Sequence, residues 1–100
     1  MDQDSLALLS AQDQEMYLAH TRRFATEDWQ ALMEWCKEQA INCSARELMS
    51  GKWEDILVCR GEKRAYEALV GLEQSVEMEY QAKVDDINAK RIAELESEYE

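Results

Sequence analysis

A chain of 100 residues with no proline and a net charge of −11 fits one small acidic domain, and its charge argues against several classes of function. Phosphate binding needs a basic face, so direct nucleic-acid binding is disfavoured, as is binding to an anionic membrane surface. No apolar run approaches the roughly 20 residues that a membrane span needs. Because Ala, Glu, Gln, Leu, Met and Lys dominate, helix propensity is favourable almost throughout, and we predict an all-α fold.

The charge is distributed unevenly along the chain. Residues 1–50 carry nine acids and four bases, residues 51–72 carry four of each, and residues 73–100 carry nine acids and three bases. We expect the most packing in the neutral middle. The acidic ends favour solubility, a basic protein partner, or mimicry of a polyanion.

Two capping signals divide the first half of the chain into helices. Ser5 or Ser10 could cap the first helix, and a start at Ser10 places Asp13 in its first turn. The segment to Phe24 has apolar residues at helical spacing. Thr26 precedes two acids, a pattern that predicts the start of a second helix. One apolar stripe runs along this helix. That stripe contains Trp29, Leu32, Met33, Cys36, Ala40 and Cys43. Trp35 lies off this stripe, so we expect it to face a neighbouring helix or a partner.

The end of this second helix can be interpreted in two ways. Asn42 followed by Ser44 favours a weak break or bend, and the alternative is an unbroken helix to Met49. Gly51 is then expected to act as a left-handed cap that permits a sharp reversal of the chain.

The residues from Lys52 to about Glu98 predict one long helix of roughly 70 Å. Its first face contains Trp53, Ile56, Leu57 and Arg60, and a near-heptad stripe follows. That stripe contains Leu69, Leu72, Val76, Tyr80, Val84, Ile87 and Leu95. The upstream helices are too short to cover all of it, so we expect it to project past about Tyr80 and to bind another chain. The alternative is a solvated, frayed acidic tail.

These patterns predict two or three short helices packed on the first half of a long C-terminal helix. Residues 1–75 would form a helical bundle, and residues 76–100 a protruding amphipathic extension. The expected core contains Phe24, Trp29, Leu32, Met33, Cys36, Trp53, Leu57, Gly61, Leu69 and Leu72. The expected partner-binding residues are Trp35, Val76, Tyr80, Val84, Ile87 and Leu95.

Short motifs in the middle of the chain resemble a family of phage proteins. Phe24 and Trp29 match a Phe-x(4)-Trp helix start, and Leu57, Arg60 and Gly61 match a hydrophobic-x-x-Arg-Gly helix. In the order and spacing of these motifs, about residues 15–75 resemble small helical proteins encoded near the head and packaging genes of tailed bacteriophages. Members of that family are expected to end in a short Leu-rich segment closed by proline, whereas this chain continues to Glu100 without one. The resemblance implies a structural or assembly role in a phage particle.

Gly61 has a physical cost that does not depend on this resemblance. Glycine inside a helix costs about 1 kcal/mol relative to alanine. Close approach of another helix would compensate, with Arg60 pairing with Glu34 or Glu38; the alternative is a tolerated glycine beside a surface arginine.

The sequence contains no recognisable catalytic or metal-binding constellation. Cys36, Cys43 and Cys59 include no Cys-x-x-Cys pair, and no apolar run of signal-peptide type precedes them, so we expect reduced, buried thiols in a cytosolic setting. The single histidine, His20, lies on a predicted core face or its edge. Three isolated glycines cannot form a phosphate loop. We therefore expect no enzyme activity, cofactor or metal.

Three functions remain open on this basis. The first is a non-enzymatic phage structural protein that binds head, portal or tail components, or a second copy of itself. The second is an acidic DNA-mimic inhibitor of a host nucleic-acid-binding complex. The third is an assembly chaperone or scaffold. The expected location is the virion or the host cytoplasm.

Overall fold

A computed structural model describes residues 1–99 and confirms an all-α fold, with five helices and no strand in that part of the chain. The helices span Gln3–Leu8 (α1), Ala11–Phe24 (α2), Glu27–Met49 (α3), Trp53–Val70 (α4) and Leu72–Glu98 (α5). Contacts divide the chain into two compact units. Unit 1 contains Met1–Arg22 and the chain from Gln74 onward, and unit 2 contains Arg23–Glu73. This division differs from the predicted boundary at residue 75.

Unit 1 is built from α1, α2 and most of α5. The Asp2 carboxylate accepts a 2.7 Å hydrogen bond from the Ser5 amide and caps α1, and Ser10 Oγ accepts one of 3.1 Å from the Asp13 amide. Asp13 contacts Lys83 and Tyr17 contacts Glu77, so α2 and α5 run antiparallel. The buried side chains of this unit are Leu9, Tyr17, Val76, Tyr80 and Val84.

This packing overturns part of the predicted partner-binding stripe. Val76, Tyr80 and Val84 were expected to be exposed, but all three are buried inside unit 1. The physical reason is that α2 is long enough to cover the first three turns of this stripe, with the Tyr17 and Tyr80 rings 5.4 Å apart.

The α3 helix begins as predicted and ends without the predicted break. Thr26 Oγ1 accepts a hydrogen bond from the Trp29 amide, as a capping residue does. The helix then continues unbroken to Met49, because the Ser44 hydroxyl donates to the Ala40 carbonyl inside the helix and does not start a new one. Among the described residues no glycine has a positive φ, so the left-handed cap expected at Gly51 is absent.

The long helix predicted after Gly51 is interrupted at one residue. Gly71 lies between α4 and α5, with φ of −84° and ψ of 2°. Its amide donates to the Glu67 carbonyl at 3.0 Å and closes α4. The interruption falls at the residue type with the lowest helix propensity after proline.

Unit 2 is an antiparallel hairpin of α3 and α4. Trp35 contacts Tyr66, Arg46 contacts Glu62, and Glu47 contacts Arg60, so partners descend in α4 as they ascend in α3. Arg60 thus pairs with Glu47 rather than with the predicted Glu34 or Glu38. The buried side chains of this unit are Phe24, Met33, Cys36, Cys43 and Cys59. The prediction of buried, unpaired thiols is confirmed.

Six of the ten residues predicted to form the core lie on the surface of unit 2. The exposed ones are Leu32, Trp53, Leu57, Gly61, Leu69 and Leu72. In α4 the buried Cys59 shares its face with the half-buried Ile56, Tyr66 and Val70, at helical spacing. The predicted face of Trp53 and Leu57 is therefore turned away from α3. Trp29 is half-buried, 5.0 Å from the Phe24 ring, and its indole N–H donates to Glu73 at 2.8 Å.

Candidate protein-binding surfaces

The first candidate surface is the distal segment of α5, defined as residues 88–99. Every residue in this segment is exposed, although the chain is helical to Glu98. Ile92, Leu95 and Tyr99 are 57%, 56% and 90% exposed. Their spacing of three and four residues places them on one face of the helix. An amphipathic face without a cover within the chain is a feature of protein interaction sites.

The boundary of the exposed stripe lies further along the chain than predicted. Val84 is buried and Ile87 is half-buried, so the exposed part begins after Ile87. Leu95 is exposed, as expected for a partner-binding residue. The prediction omitted Ile92 and Tyr99 from the site, although their spacing from Leu95 was the available signal.

The distal segment has unfavourable electrostatics on its own. Glu94 and Glu98 lie one turn apart, and α5 has no basic residue in its last turn. Like charges at this spacing destabilise a helix, and acids near a helix C-terminus oppose its macrodipole. Upstream, Lys90 pairs with Asp86 at 3.1 Å. A positively charged neighbour would relieve the repulsion near the end of the helix.

The second candidate surface is the side of α4 that points away from α3. Leu57 and Gly61 each lie two residues from the buried Cys59, and Ala68 lies two residues from the half-buried Tyr66. Two residues along an α-helix correspond to a rotation of about 200°, so these residues lie on the opposite side of α4. We call this face the α4 outer stripe. It contains Leu57, Gly61, Ala65 and Ala68, all of them exposed.

Gly61 has open space where a side chain would be. Apart from its chain neighbours and the adjacent backbone of its own helix, no atom of residues 1–99 lies within 4 Å of the position that a Cβ would occupy, so the predicted core role of Gly61 is wrong. The close helix approach that would compensate for its low helix propensity does not occur within this chain.

Trp35 was predicted to contact a partner and remains partly accessible. Its ring packs edge-on against Tyr66, with centroids 5.6 Å apart, while 48% of the residue stays exposed. The prediction that another chain covers it is not tested by this geometry.

A cavity of about 290 Å³ opens beside the hairpin core, lined by Arg46, Ser50, Asp55, Val58 and Cys59. The Arg46 guanidinium donates to Glu62 at 2.5 Å and to the Cys43 sulfur at 3.2 Å. The hydrogen bond from Arg46 lowers the pKa of Glu62, and the same bond raises the pKa of Arg46. The arginine of this cavity is therefore already paired with Glu62, and the Asp55 carboxylate lies 3.5 Å from the Ser50 hydroxyl.

Unit 1 contains one hydrogen-bonded group that the sequence did not reveal. The Tyr17 hydroxyl donates to Glu77 at 2.6 Å, and the N-terminal ammonium lies 3.0 Å from the same carboxylate. Burial, followed by the Glu77 contact, raises the pKa of Tyr17 to about 12. The hydrogen bond from Tyr17 lowers the pKa of Glu77. This arrangement joins α2 to α5.

Over residues 1–99, no group of three or more His, Cys, Asp or Glu side chains is placed to hold a metal ion. No helix in that part of the chain has the length and apolarity that crossing a membrane requires. Comparisons with protein-family models, curated protein sequences and solved structures gave no match.

Proposed function

We propose that this chain is a non-enzymatic interaction protein that binds another protein through the distal segment of α5. One observation carries the proposal: residues 88–99 expose every side chain, yet they place Ile92, Leu95 and Tyr99 on one face. Most helical stability in proteins comes from packing of an apolar face, and the last turns of α5 gain none from the rest of the described chain. A partner that covers this face would supply the missing stabilisation.

The electrostatics of the segment favour a basic partner. Glu94, Glu96 and Glu98 lie close to the C-terminal end of α5 with no base in the last turn. A second copy would bring more acids to the same place, whereas an apolar groove rimmed by Lys or Arg would cover the apolar face and neutralise the acids.

The resemblance of residues 15–75 to phage head-region proteins supports a role for such binding in particle assembly. The partner would then be a head, portal or tail component, and the chain would reside in the virion or in the host cytoplasm. A scaffold or assembly chaperone would use the same surface. Presence in mature particles would favour the structural role, and presence only in precursors would favour the chaperone role.

Site-specific photo-crosslinking in the producing cell tests the proposal. A photo-reactive amino acid at Ile92 should form a covalent adduct with one defined protein, identified by mass spectrometry, whereas the same group at the exposed Ala82 should not. Leu95→Asp in the Ile92 probe chain should reduce the adduct at least tenfold by placing a charge in the apolar contact. The matched control is Met78→Asp, which changes a residue of α5 that is 63% exposed and lies outside the segment.

Two outcomes would contradict the proposal. Equal crosslinking from Ile92 and Ala82 would show no preference for the distal segment. An undiminished adduct in the Leu95→Asp chain, with unchanged helicity, would mean that the apolar face is not the contact.

The acidic DNA-mimic alternative predicts a different result. In this alternative the chain competes with DNA for a host protein, and added salt weakens its binding. Leu95→Asp should leave that binding unchanged, because the acids and not the apolar face would make the contact.

A further inference from the structure

We propose that Cys59 is a modification site that reacts with small cationic disulfides through the cavity beside the hairpin, and that Cys43 then closes a disulfide bond with it. The inference does not depend on the distal segment of α5, because both cysteines lie in unit 2 and the segment lies in unit 1. Its starting observation is a buried thiol that lines an open cavity of about 290 Å³.

Cys59 combines burial with access from solvent. Only 5% of the residue is exposed, and within residues 1–99 its thiol forms no hydrogen bond. Ligand pockets have volumes of about 300–1,000 Å³, so a cavity at the lower end of this range fits a few heavy atoms, such as one half of a small disulfide. Cys36 and Cys43 are 0% and 1% exposed and do not line the cavity. Cys59 is therefore the thiol that an entering molecule meets first.

The polar groups of the cavity favour a cationic molecule. The Asp55 carboxylate lies 3.5 Å from the Ser50 hydroxyl and forms no ion pair in the part of the chain that the structure describes. Arg46, the positive group of the lining, is already paired with Glu62. The remaining charge of the cavity is therefore negative, as is the charge of the whole chain. A disulfide that carries amines should enter more readily than one that carries carboxylates.

Cys43 faces α4 at the level of Cys59. Its sulfur accepts a 3.2 Å hydrogen bond from Arg46, which lines the same cavity as Cys59. Its thiol also donates to Glu62 at 3.7 Å, and Glu62 lies one turn beyond Cys59 on α4. Packed helices have axes about 8–10 Å apart and Cα atoms about 2.3 Å from each axis. Facing residues therefore reach the Cα separation of about 4.4–6.8 Å that a disulfide needs.

The reaction consists of two successive thiol–disulfide exchanges. In the first, the Cys59 thiolate attacks one sulfur of the small disulfide, the S–S bond of that molecule breaks, and the departing thiolate takes up the proton that Cys59 lost. In the second, the Cys43 thiolate attacks the Cys59 sulfur and displaces the other half as a thiol. The two protein thiols lose two electrons, and the small disulfide is reduced to two thiols. The new bond joins α3 to α4 and should stabilise the hairpin by restricting the unfolded chain.

Reaction of the folded chain with two small disulfides tests the selection by charge. Cystamine carries two amines, and dithiodiglycolate carries two carboxylates. Each rate at Cys59, measured by mass spectrometry of peptides from acid-quenched samples, is divided by the rate of the same disulfide with the urea-unfolded chain, which removes differences in intrinsic reactivity. The normalised rate should be at least tenfold higher for cystamine. Asp55→Asn should lower this ratio at least threefold, whereas Glu54→Gln, the same charge change outside the cavity lining, should alter it much less.

Serine variants test the role of the second thiol. In the unsubstituted chain the mixed disulfide on Cys59 should give way to a Cys43–Cys59 bond, and the oxidised chain should unfold at a higher urea concentration than the reduced one. Cys43→Ser should stop the reaction at the mixed disulfide. The matched control is Cys36→Ser, at a buried thiol outside the cavity, which should leave the Cys43–Cys59 bond unaffected. If a variant loses its helical circular dichroism, peptide mapping of the unsubstituted chain still identifies the joined cysteines.

Three results would overturn the proposal. Equal reaction of all three cysteines in the folded chain would show that modification follows global unfolding rather than entry through the cavity. The second is a charge ratio that Asp55→Asn leaves unchanged, and the third is an oxidised chain without a Cys43–Cys59 bond. None of them would affect the proposed binding by the distal segment, which is read out by the Ile92 adduct.

Discussion

At the scale of single residues, Tyr17 shows how one buried hydroxyl makes stability depend on pH. Its pKa is raised from 10.0 to about 12, first by burial and then by Glu77. The fold therefore favours the protonated phenol, so this stabilisation is complete below about pH 10 and is lost as pH rises to 12. For Glu77 the lowered pKa has the opposite sign: its stabilisation is present above about 4.5 and is lost as pH falls further.

Tyrosinate absorbance should detect this effect directly. A titration of the folded chain should contain a component near pH 12, and Tyr17→Phe should remove it. The substitution should also lower the free energy of unfolding near pH 7 by about 1 kcal/mol, because a buried hydrogen bond is lost. Tyr99→Phe, at a residue that is 90% exposed, is the control and should leave the component in place. If the component persists in Tyr17→Phe, the assignment is wrong.

Residue burial was predictable where composition and pattern agreed, and not where α4 offered apolar residues on several sides. Phe24, Met33 and Cys36 are buried as predicted, whereas Leu32, on the same predicted stripe of α3 as Met33 and Cys36, is 42% exposed. Trp53 was predicted to be buried but is 61% exposed, with the Arg60 guanidinium 5.4 Å from its ring. Periodicity alone did not reveal that the smaller Cys59 would face α3.

At the scale of helices, the starts were predictable and the interruptions were not. Thr26 and Ser10 cap their helices as expected, because a capping side chain acts within three residues of itself. The break expected at Asn42 is absent, and the one at Gly71 was not foreseen. Whether a residue with low helix propensity ends a helix depends on packing along its whole length, which local sequence does not encode.

Gly71→Ala should raise the free energy of unfolding by about 0.5–1 kcal/mol. Its φ of −84° suits any L-residue, and an added Cβ would lie 3.5 Å from the Glu67 carbonyl oxygen, an ordinary contact. Urea unfolding followed by circular dichroism measures the change. Gly51→Ala, outside the helices, should give a smaller gain and serves as the comparison. A destabilised Gly71→Ala chain would mean that the interruption itself is required.

At the scale of the whole molecule, two electrostatic effects oppose each other. Repulsion among the surplus acids, with a net charge of −11, destabilises the fold, and ion pairs on its surface stabilise it. Pairs such as Lys83–Asp13 and Arg60–Glu47 join helices at 3.2 and 2.6 Å. Exposed pairs of this kind contribute about 0–1 kcal/mol each, and salt weakens them. The surplus of acids acts over the whole surface, and we expect its repulsion to dominate.

Added salt should therefore stabilise this chain. Between about 0.01 M and 1 M salt the screening length falls from roughly 30 Å to 3 Å, which weakens repulsion among the acids. The thermal unfolding midpoint should rise over this range in sodium chloride. Glu98→Lys changes the net charge by two and gives Glu94 a favourable partner one turn away, so its midpoint should start higher and rise less. A midpoint that falls with salt would mean that the ion pairs between helices outweigh the repulsion, and the argument for a basic partner would lose its electrostatic basis.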